Sequence, residues 1–189
     1  MDYPKLILLI SGKRKSGKDF LCEKLKDILE EKCTIIRISG PLKSHYAKEH
    51  NLNLTELMSN GIYKEKYRLD MINWSDEVRE KDPGYFCKAA CATVCSTQTS
   101  IWIISDIRRK TDIKWFTETY LDKVKTIRIS ADQDIRIQRG WVFQEGVDNV
   151  TSECDLDNWN CWDLQLMNNS PDEGEQNIEK ILKFIKLNT

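Results

Sequence analysis

LILLISGKRKSGKDF, residues 6–20, runs from a short apolar segment through a glycine-bracketed loop of basic residues into an amphipathic helix. The spacing Gly12-x-x-x-x-Gly17-Lys18 fits the phosphate-loop pattern. Glycines let backbone N–H groups turn onto phosphate oxygens, the lysine reaches the terminal phosphates, and the first turn of the next helix adds its positive dipole end. Leu6 to Ile10 read as a buried parallel strand, and Phe20, Leu25, Ile28 and Leu29 as the apolar stripe of the helix. Asp19 departs from the pattern, standing where a Ser or Thr hydroxyl usually meets magnesium. An acid there either holds the ion through its waters or leaves it to the nucleotide and another carboxylate.

Beyond this stretch, Thr34–Ile38 reads as a second strand, and Ser39-Gly40-Pro41 breaks it ahead of Lys43 and His45. Residues 42–98 carry almost no strand signal and predict helices over about 41–50, 54–60, 64–81 and 84–96, an insertion suited to cover a substrate. Ile101–Ser105 predicts a buried strand that delivers Asp106, Arg108 and Arg109 to its carboxyl end, where α/β sheets place their chemistry. There an aspartate suits orienting magnesium-bound water or capping a helix, and two arginines suit neutralising a transferring phosphoryl group. Lys123–Ile129 predicts another strand and 132–139 a helix with Arg136 and Arg139 on one face. Residues 144–161 read as an acidic flap without helical period, ended by Trp159 and Trp162 as loop anchors. Leu164–Met167 is the last strand, and Ile178, Ile181, Leu182 and Ile185 mark a terminal amphipathic helix. The alternation predicts an α/β three-layer sandwich with a central parallel sheet.

Length and composition set the frame. At 189 residues with 40% hydrophobic and 31% charged residues, the chain predicts one soluble domain. A net charge of −1 gives no global attraction to nucleic acid or anionic membrane. Residues 1–50 hold eleven Lys/Arg against seven Asp/Glu while 141–175 hold no Lys or Arg, so local anion sites are expected rather than a basic face. Seven cysteines without a C-x-x-C pair, no leader signal and no long apolar span predict reduced thiols in a cytosol-like compartment. Cys87, Cys91 and Cys95 recur every fourth residue, and without a nearby histidine they read as thiols packed in a core rather than cluster ligands. Leu187-Asn188-Thr189 is not a peroxisomal signal.

The segments SGKRKSGKDF (11–20), SGPLK (39–43), YKEKYRLDMINW (63–74), SDIRR (105–109), QRGWVF (138–143) and SECDLDN (152–158) resemble those of animal-type phosphomevalonate kinases, in the nucleoside-monophosphate-kinase-like branch of phosphate-loop proteins. The resemblance runs from about Leu6 to the terminal helix and makes Asp19 expected. It implies a single kinase domain with core 1–40, 99–131 and 162–189, a substrate-binding helical insertion over about 41–98, and a lid over about 132–161. The implied reaction moves the ATP γ-phosphate onto the phosphate of (R)-5-phosphomevalonate, giving ADP and (R)-5-diphosphomevalonate for isoprenoid and sterol synthesis. Magnesium is implied with ATP, held at Asp19 and Asp106 through water or indirectly. Lys18, Lys13, Arg108 and Arg109 are the implied catalytic set. Gly12, Lys13, Arg14, Lys15, Ser16, Gly17, Lys18, Asp19 and Asn168 are the implied ATP site. Arg79, Arg108, Arg109 and Arg139 fall to the substrate, and Arg136 and Arg139 to the lid. Where the family typically has an Asn-His pair at adenine, this chain has Asn168-Asn169, so only Asn168 is carried over. A monomer is implied, with neither nucleic acid nor membrane as partner.

Two other classes compete with this reading. Another small-molecule kinase shares loop and lid but prefers AMP, UMP or a sugar acid. A nucleic-acid module would use Lys13-Arg14-Lys15 as a basic patch, yet the chain lacks an aromatic stacking platform beside it. A GTP-binding switch is disfavoured because neither Asn-Lys-x-Asp nor an Asp-x-x-Gly after the central strand occurs.

Overall fold

Five strands lie side by side in the order β2-β3-β1-β4-β5, and every pairing is parallel. They are β1 (Leu6–Ser11), β2 (Cys33–Ile36), β3 (Ile101–Ile107), β4 (Val124–Ser130) and β5 (Leu164–Met167). The computed structural model describes residues 4–59, 61–94 and 98–189. Parallel neighbours require crossovers, and helices supply them. They are α1 (Lys18–Leu29), α2 (Ser39–Glu49), α3 (Leu54–Met58), α4 (Ile62–Lys81), α5 (Tyr85–Ala92), α6 (Lys110–Tyr120), α7 (Gln133–Gln138), α8 (Thr151–Cys154) and α9 (Pro171–Asn188). The sheet is thus the parallel α/β sandwich that the alternation of elements predicts.

The apolar run of β1 is buried along its whole length because both faces are covered, and alternation sends its side chains to two cores. Leu6, Leu8 and Ile10 join Leu21 and Leu25 of α1 and Ile178, Ile181 and Ile185 of α9. Ile7 and Leu9 join Phe86 and Cys87 of α5 and Ile113 and Phe116 of α6. A third, smaller cluster of Tyr46, Ala47, Leu57 and Met71 holds α2, α3 and α4 together as a cover of their own. The sequence-based reading shifts in several places. In α1 the buried stripe is Leu21, Cys22 and Leu25, leaving Phe20 and Ile28 about half exposed. The second strand stops at Ile36, and α2 begins at Ser39, ahead of Pro41. Proline fits a first helical turn, where its missing N–H leaves no bond unmade. The acidic flap contains one helical turn, α8. Of the cysteine triplet, Cys87 and Cys91 are buried free thiols in the core, and Cys95 lies outside the described residues.

Candidate active site

β1 ends in a loop whose fold depends on glycine at two points. Gly17 has φ of 89°, in the left-handed region, and a Cβ there would lie 2.2 Å from the Asn168 amide nitrogen. A Cβ on Gly12 would meet the Ile129 carbonyl at 2.5 Å. The outward carbonyls of the loop are held from three directions. Asn168 Nδ2 donates to the Ser16 carbonyl at 2.8 Å, Arg136 Nε to that of Arg14 at 2.8 Å, and Arg139 Nη1 to those of Ser16 and Lys15 at 3.3 and 3.4 Å. In a trans peptide a carbonyl and the following N–H point opposite ways, so these contacts turn the Lys15 and Gly17 amides to the inner side of the loop. Ser16 is buried, and its hydroxyl finds no hydrogen-bond partner among the described residues. A buried orphan hydroxyl inside an amide-lined loop fits a phosphate oxygen.

Lys18, only 7% exposed, opens α1 and donates to Asp19 Oδ1 at 2.7 Å. From there a cleft of about 700 Å³ extends between the sheet end and the helical cover. Among the described residues its lining holds eight cations against four carboxylates. Lys18 and Arg37 come from the core side, Lys43, Lys64, Arg68 and Arg79 from the cover, and Arg108 and Arg109 from the end of β3; the carboxylates are Asp19, Asp106, Asp112 and Glu153. The excess makes the cleft an anion site. Crowding has a measurable consequence for Lys43. Burial, reinforced by Arg68, Arg108 and Arg37, holds its ammonium below the ordinary lysine range, with Asp106 opposing; burial lowers Lys64 in the same way.

The residues expected from sequence divide between two surfaces. Lys18, Asp19, Arg79, Asp106, Arg108 and Arg109 line the cleft. Asp106 accepts from the Ile38 and Ser39 amides at 2.8 and 2.9 Å, supplying the N-terminal bonds of α2 rather than of its own following helix. Arg109 donates to Asp76, Arg108 pairs with Glu153, and Arg79 pairs with Asp112. Lys13, Arg14 and Arg136 instead meet the segment after α7, and Arg139 meets the loop carbonyls. Lys13 donates to Asp157 at 2.6 Å and Arg14 to Asp148 at 3.0 Å, so the acidic flap is drawn onto the phosphate loop. Arg136 stacks over Trp141 at 4.2 Å while it holds the loop carbonyl. Asn168 is buried with its amide turned under the loop, and Asn169 joins the end of β5 to Asp132 at the start of α7. Trp159 and Trp162 pack on the core, as loop anchors do.

Sequence reasoning places Lys43 beside an expected functional loop and reads Lys64 and Arg68 as solvated surface charges of the insertion, and it assigns no site role to any of the three; it misses Asp76, Asp112 and Glu153 as the acids that hold arginines. Lys64 and Arg68 stand four apart on α4, a signal for one shared face that solvent-exposed lysines give equally well. Asp112 was visible as an acid three residues beyond Arg109, the third position of a helix start.

Comparison with known proteins gives consistent relatives. A family model described as phosphomevalonate kinase matches residues 10–122. A phosphomevalonate kinase of Drosophila melanogaster is 52% identical over 153 residues, covering 80% of this chain and 81% of that protein. Among solved structures, the Thermus thermophilus protein TT1252 superposes with a TM-score of 0.57 at 15% identity, over 98% of both chains. A shikimate kinase from Bacteroides thetaiotaomicron superposes with a TM-score of 0.51 at 10% identity, over 96% of this chain and 98% of that one. At such identities the two structures speak for the fold alone.

Gly17→Ala places a Cβ against Asn168 and forces a left-handed φ on alanine. The expected cost is about 1–3 kcal/mol of stability, read by urea unfolding. ATP affinity should fall at least tenfold by calorimetry; unchanged affinity in a folded variant would show that the loop re-forms without its glycine.

Proposed function

The chain belongs to the phosphomevalonate kinase family, and we infer from that membership and from the cleft that it phosphorylates phosphomevalonate, with ATP as donor. The observation that carries the reading is the concentration of eight cations in one cleft that opens beside the phosphate-loop lysine. The donor is a triphosphate, and the acceptor carries a phosphate at one end and a carboxylate at the other. Bringing them together is chiefly a problem of like-charge repulsion, which fixed cations solve.

The roles follow from position. The loop from Gly12 to Lys18 cradles the β- and γ-phosphates, with Ser16 Oγ and the inward amides as donors and Lys18 on the moving group. Lys13 and Arg14 lie at the outer side of the loop, where ATP phosphates compete with Asp157 and Asp148 for them. Arg108 and Arg109, at the end of β3, face the reacting phosphates, and Lys43, Lys64, Arg68 and Arg79 of the cover hold the acceptor's charges. Transfer breaks the bond from the γ-phosphorus to the β–γ bridging oxygen and forms one from that phosphorus to an acceptor phosphate oxygen. That oxygen is already anionic near neutral pH, so the step needs no general base. Magnesium, when bound, would neutralise phosphate charge; Asp19, which accepts from Lys18, and Asp106 are the cleft carboxylates that would hold its waters. Helices α2 to α5 form the substrate cover in this reading. Residues 132–161, with Arg136 and Arg139, form a lid that closes over the loop and excludes water.

We read the enzyme as a cytosolic monomer of isoprenoid and sterol precursor synthesis. Among the described residues all six cysteines are free, which supports a reducing compartment, and burial pushes the Cys22 and Cys33 thiols up to about 12 and about 11, where they resist oxidation. Among the described residues, no helix is long and apolar enough to cross a membrane.

ADP release tests the function, with ATP and magnesium and, separately, phosphomevalonate, mevalonate, AMP, UMP and shikimate. Turnover with phosphomevalonate alone is expected. Lys18→Met should lower kcat by at least about 10³-fold, the scale of a lost charge contact to a transferring group, while circular dichroism shows the fold intact. Turnover restricted to a nucleotide or sugar acid would overturn the assignment.

The depressed Lys43 ammonium gives a second test, in which binding and stability move in opposite directions. As pH rises through its lowered folded value, the lysine loses its charge, so kcat/KM for phosphomevalonate should fall earlier than an ordinary lysine would dictate. The unfolded chain then binds the extra proton, so fold stability rises over the same interval. Lys43→Arg should carry the fall in kcat/KM to higher pH; an unmoved profile would remove Lys43 from acceptor binding.

A further inference from the structure

Two arginines in the cleft are held by a crossed arrangement of acids. Asp76 and Arg79 stand three apart on α4, and Arg109 and Asp112 stand three apart across the start of α6. Asp76 of the cover takes the Arg109 guanidinium, and Asp112 of the core takes that of Arg79. Each element therefore supplies the acid for the other's arginine, and the two ion pairs tie the cover to the carboxyl edge of the sheet.

The two acids are not equivalent. The Asp76 side chain is 40% exposed, whereas Asp112 is 1% exposed. Around Asp112, one oxygen accepts from Arg79 Nη1, with the Cys87 thiol at 3.6 Å. The other oxygen accepts from the Arg109 amide at 3.2 Å and lies 3.5 Å from the Arg108 amide. Behind the ion pair, Phe86 presents its ring to the Arg79 guanidinium at 5.2 Å, closing that side to water. One buried carboxylate thus touches all three arginines of this part of the cleft, one through its guanidinium and two through their main chain.

The geometry points to Asp112 as a positioning residue for phosphoryl transfer, one that orients Arg79 toward the acceptor and fixes the backbone from which Arg108 and Arg109 project. The assignment rests on the phosphomevalonate kinase reading for the identity of the acceptor. Its physical basis is that a buried charge pair is costly to disturb, so the carboxylate holds its partner in one orientation. In the Arg109–Asp76 pair the arginine is buried, but the acid is open to solvent, so water can take over its carboxylate and a competing phosphate can replace it at the guanidinium. Arg79 is consequently a fixed contact, and Arg109 is free to leave Asp76 for the phosphoryl group as charge develops there. Asn at position 112 cannot reproduce this, since its single acceptor oxygen serves either Arg79 or the main-chain amides, and its NH2 then opposes a donor on the other side.

Wild type, Asp112→Asn, Asp112→Glu, Arg79→Gln and the double variant Arg79→Gln/Asp112→Asn are compared, with folding established by near-ultraviolet circular dichroism and thermal melting. Steady-state kinetics then give kcat and both KM values. Asp112→Asn is expected to raise the KM for phosphomevalonate at least tenfold and lower kcat at least tenfold, with the KM for ATP changed less than threefold. The double variant should be no worse than the worse single variant, because both remove one interaction. If Asp112→Asn does not fold, Asp112→Glu carries the test, since it keeps the charge and displaces it by one methylene; a fivefold or larger rise in acceptor KM is expected. A folded Asn or Glu variant with kcat and acceptor KM within twofold of wild type overturns the proposal. Failure of both variants to fold assigns Asp112 to the framework and also overturns it. If wild type does not turn over phosphomevalonate, the reading of the acceptor fails separately. Calorimetric binding of inorganic phosphate then replaces the kinetics, a tenfold loss in a folded variant supporting the positioning role and equal affinity refuting it.

Discussion

Repulsion among like charges is the constraint on which the rest of this structure depends. Two cations about 5 Å apart repel by about 3 kcal/mol at an effective dielectric of about 20, and the cleft gathers eight of them around four carboxylates. Such a site does not assemble unless something outside it holds the pieces. The fully buried β1 and its two covering cores provide that frame, and the parallel arrangement brings the ends of β1 and β3 to one edge. The cations, held in place against their mutual repulsion, are then available to neutralise the charge of an anionic ligand.

The acids show how the frame manages this. Asp106 supplies the first bonds of α2, so the helix that carries Lys43 starts from the strand that leads into Arg108 and Arg109. Asp112 and Asp76 tie α4 to the same edge from two sides. Glu153, 6% exposed on its side chain, reaches Arg108 from the one-turn helix of the flap. Cover, core and flap are therefore joined through ion pairs of arginines that line the cleft. At the phosphate loop the logic is similar: Asp148 and Asp157 pair with Arg14 and Lys13, so two cations of the loop are held by acids of the flap.

Much of this was legible in the chain. The strand, loop and helix of residues 6–20 are a local pattern, and so are the fully apolar strands and their alternation with helices, because hydrophobic period and glycine spacing depend on near neighbours. The resemblance carried by SGKRKSGKDF and SDIRR points to the family that the 52% identical Drosophila relative also indicates. Local errors had local causes. Phe20 and Ile28 fit an apolar stripe but are about half exposed, since Leu21, Cys22 and Leu25 already fill the space against β1 and α9. Pro41 looked like a break, yet the bonds of the first turn come from Asp106, which is 65 residues further along.

The parallel sheet, the glycine-bracketed phosphate-loop motif and the family are legible in the sequence alone. Each is written in residues close together along the chain. What only the tertiary structure decided is which of the many surface-like charges become a site. Lys43, Lys64 and Arg68 are indistinguishable in sequence from solvated cations, and Asp76 and Asp112 from helix-face acids. Their partners lie 33 residues away in both crossed ion pairs, a separation across which no periodicity persists. Burial sets the difference between them, because a carboxylate removed from water binds its arginine in one geometry, and burial is a property of the packed molecule rather than of any segment.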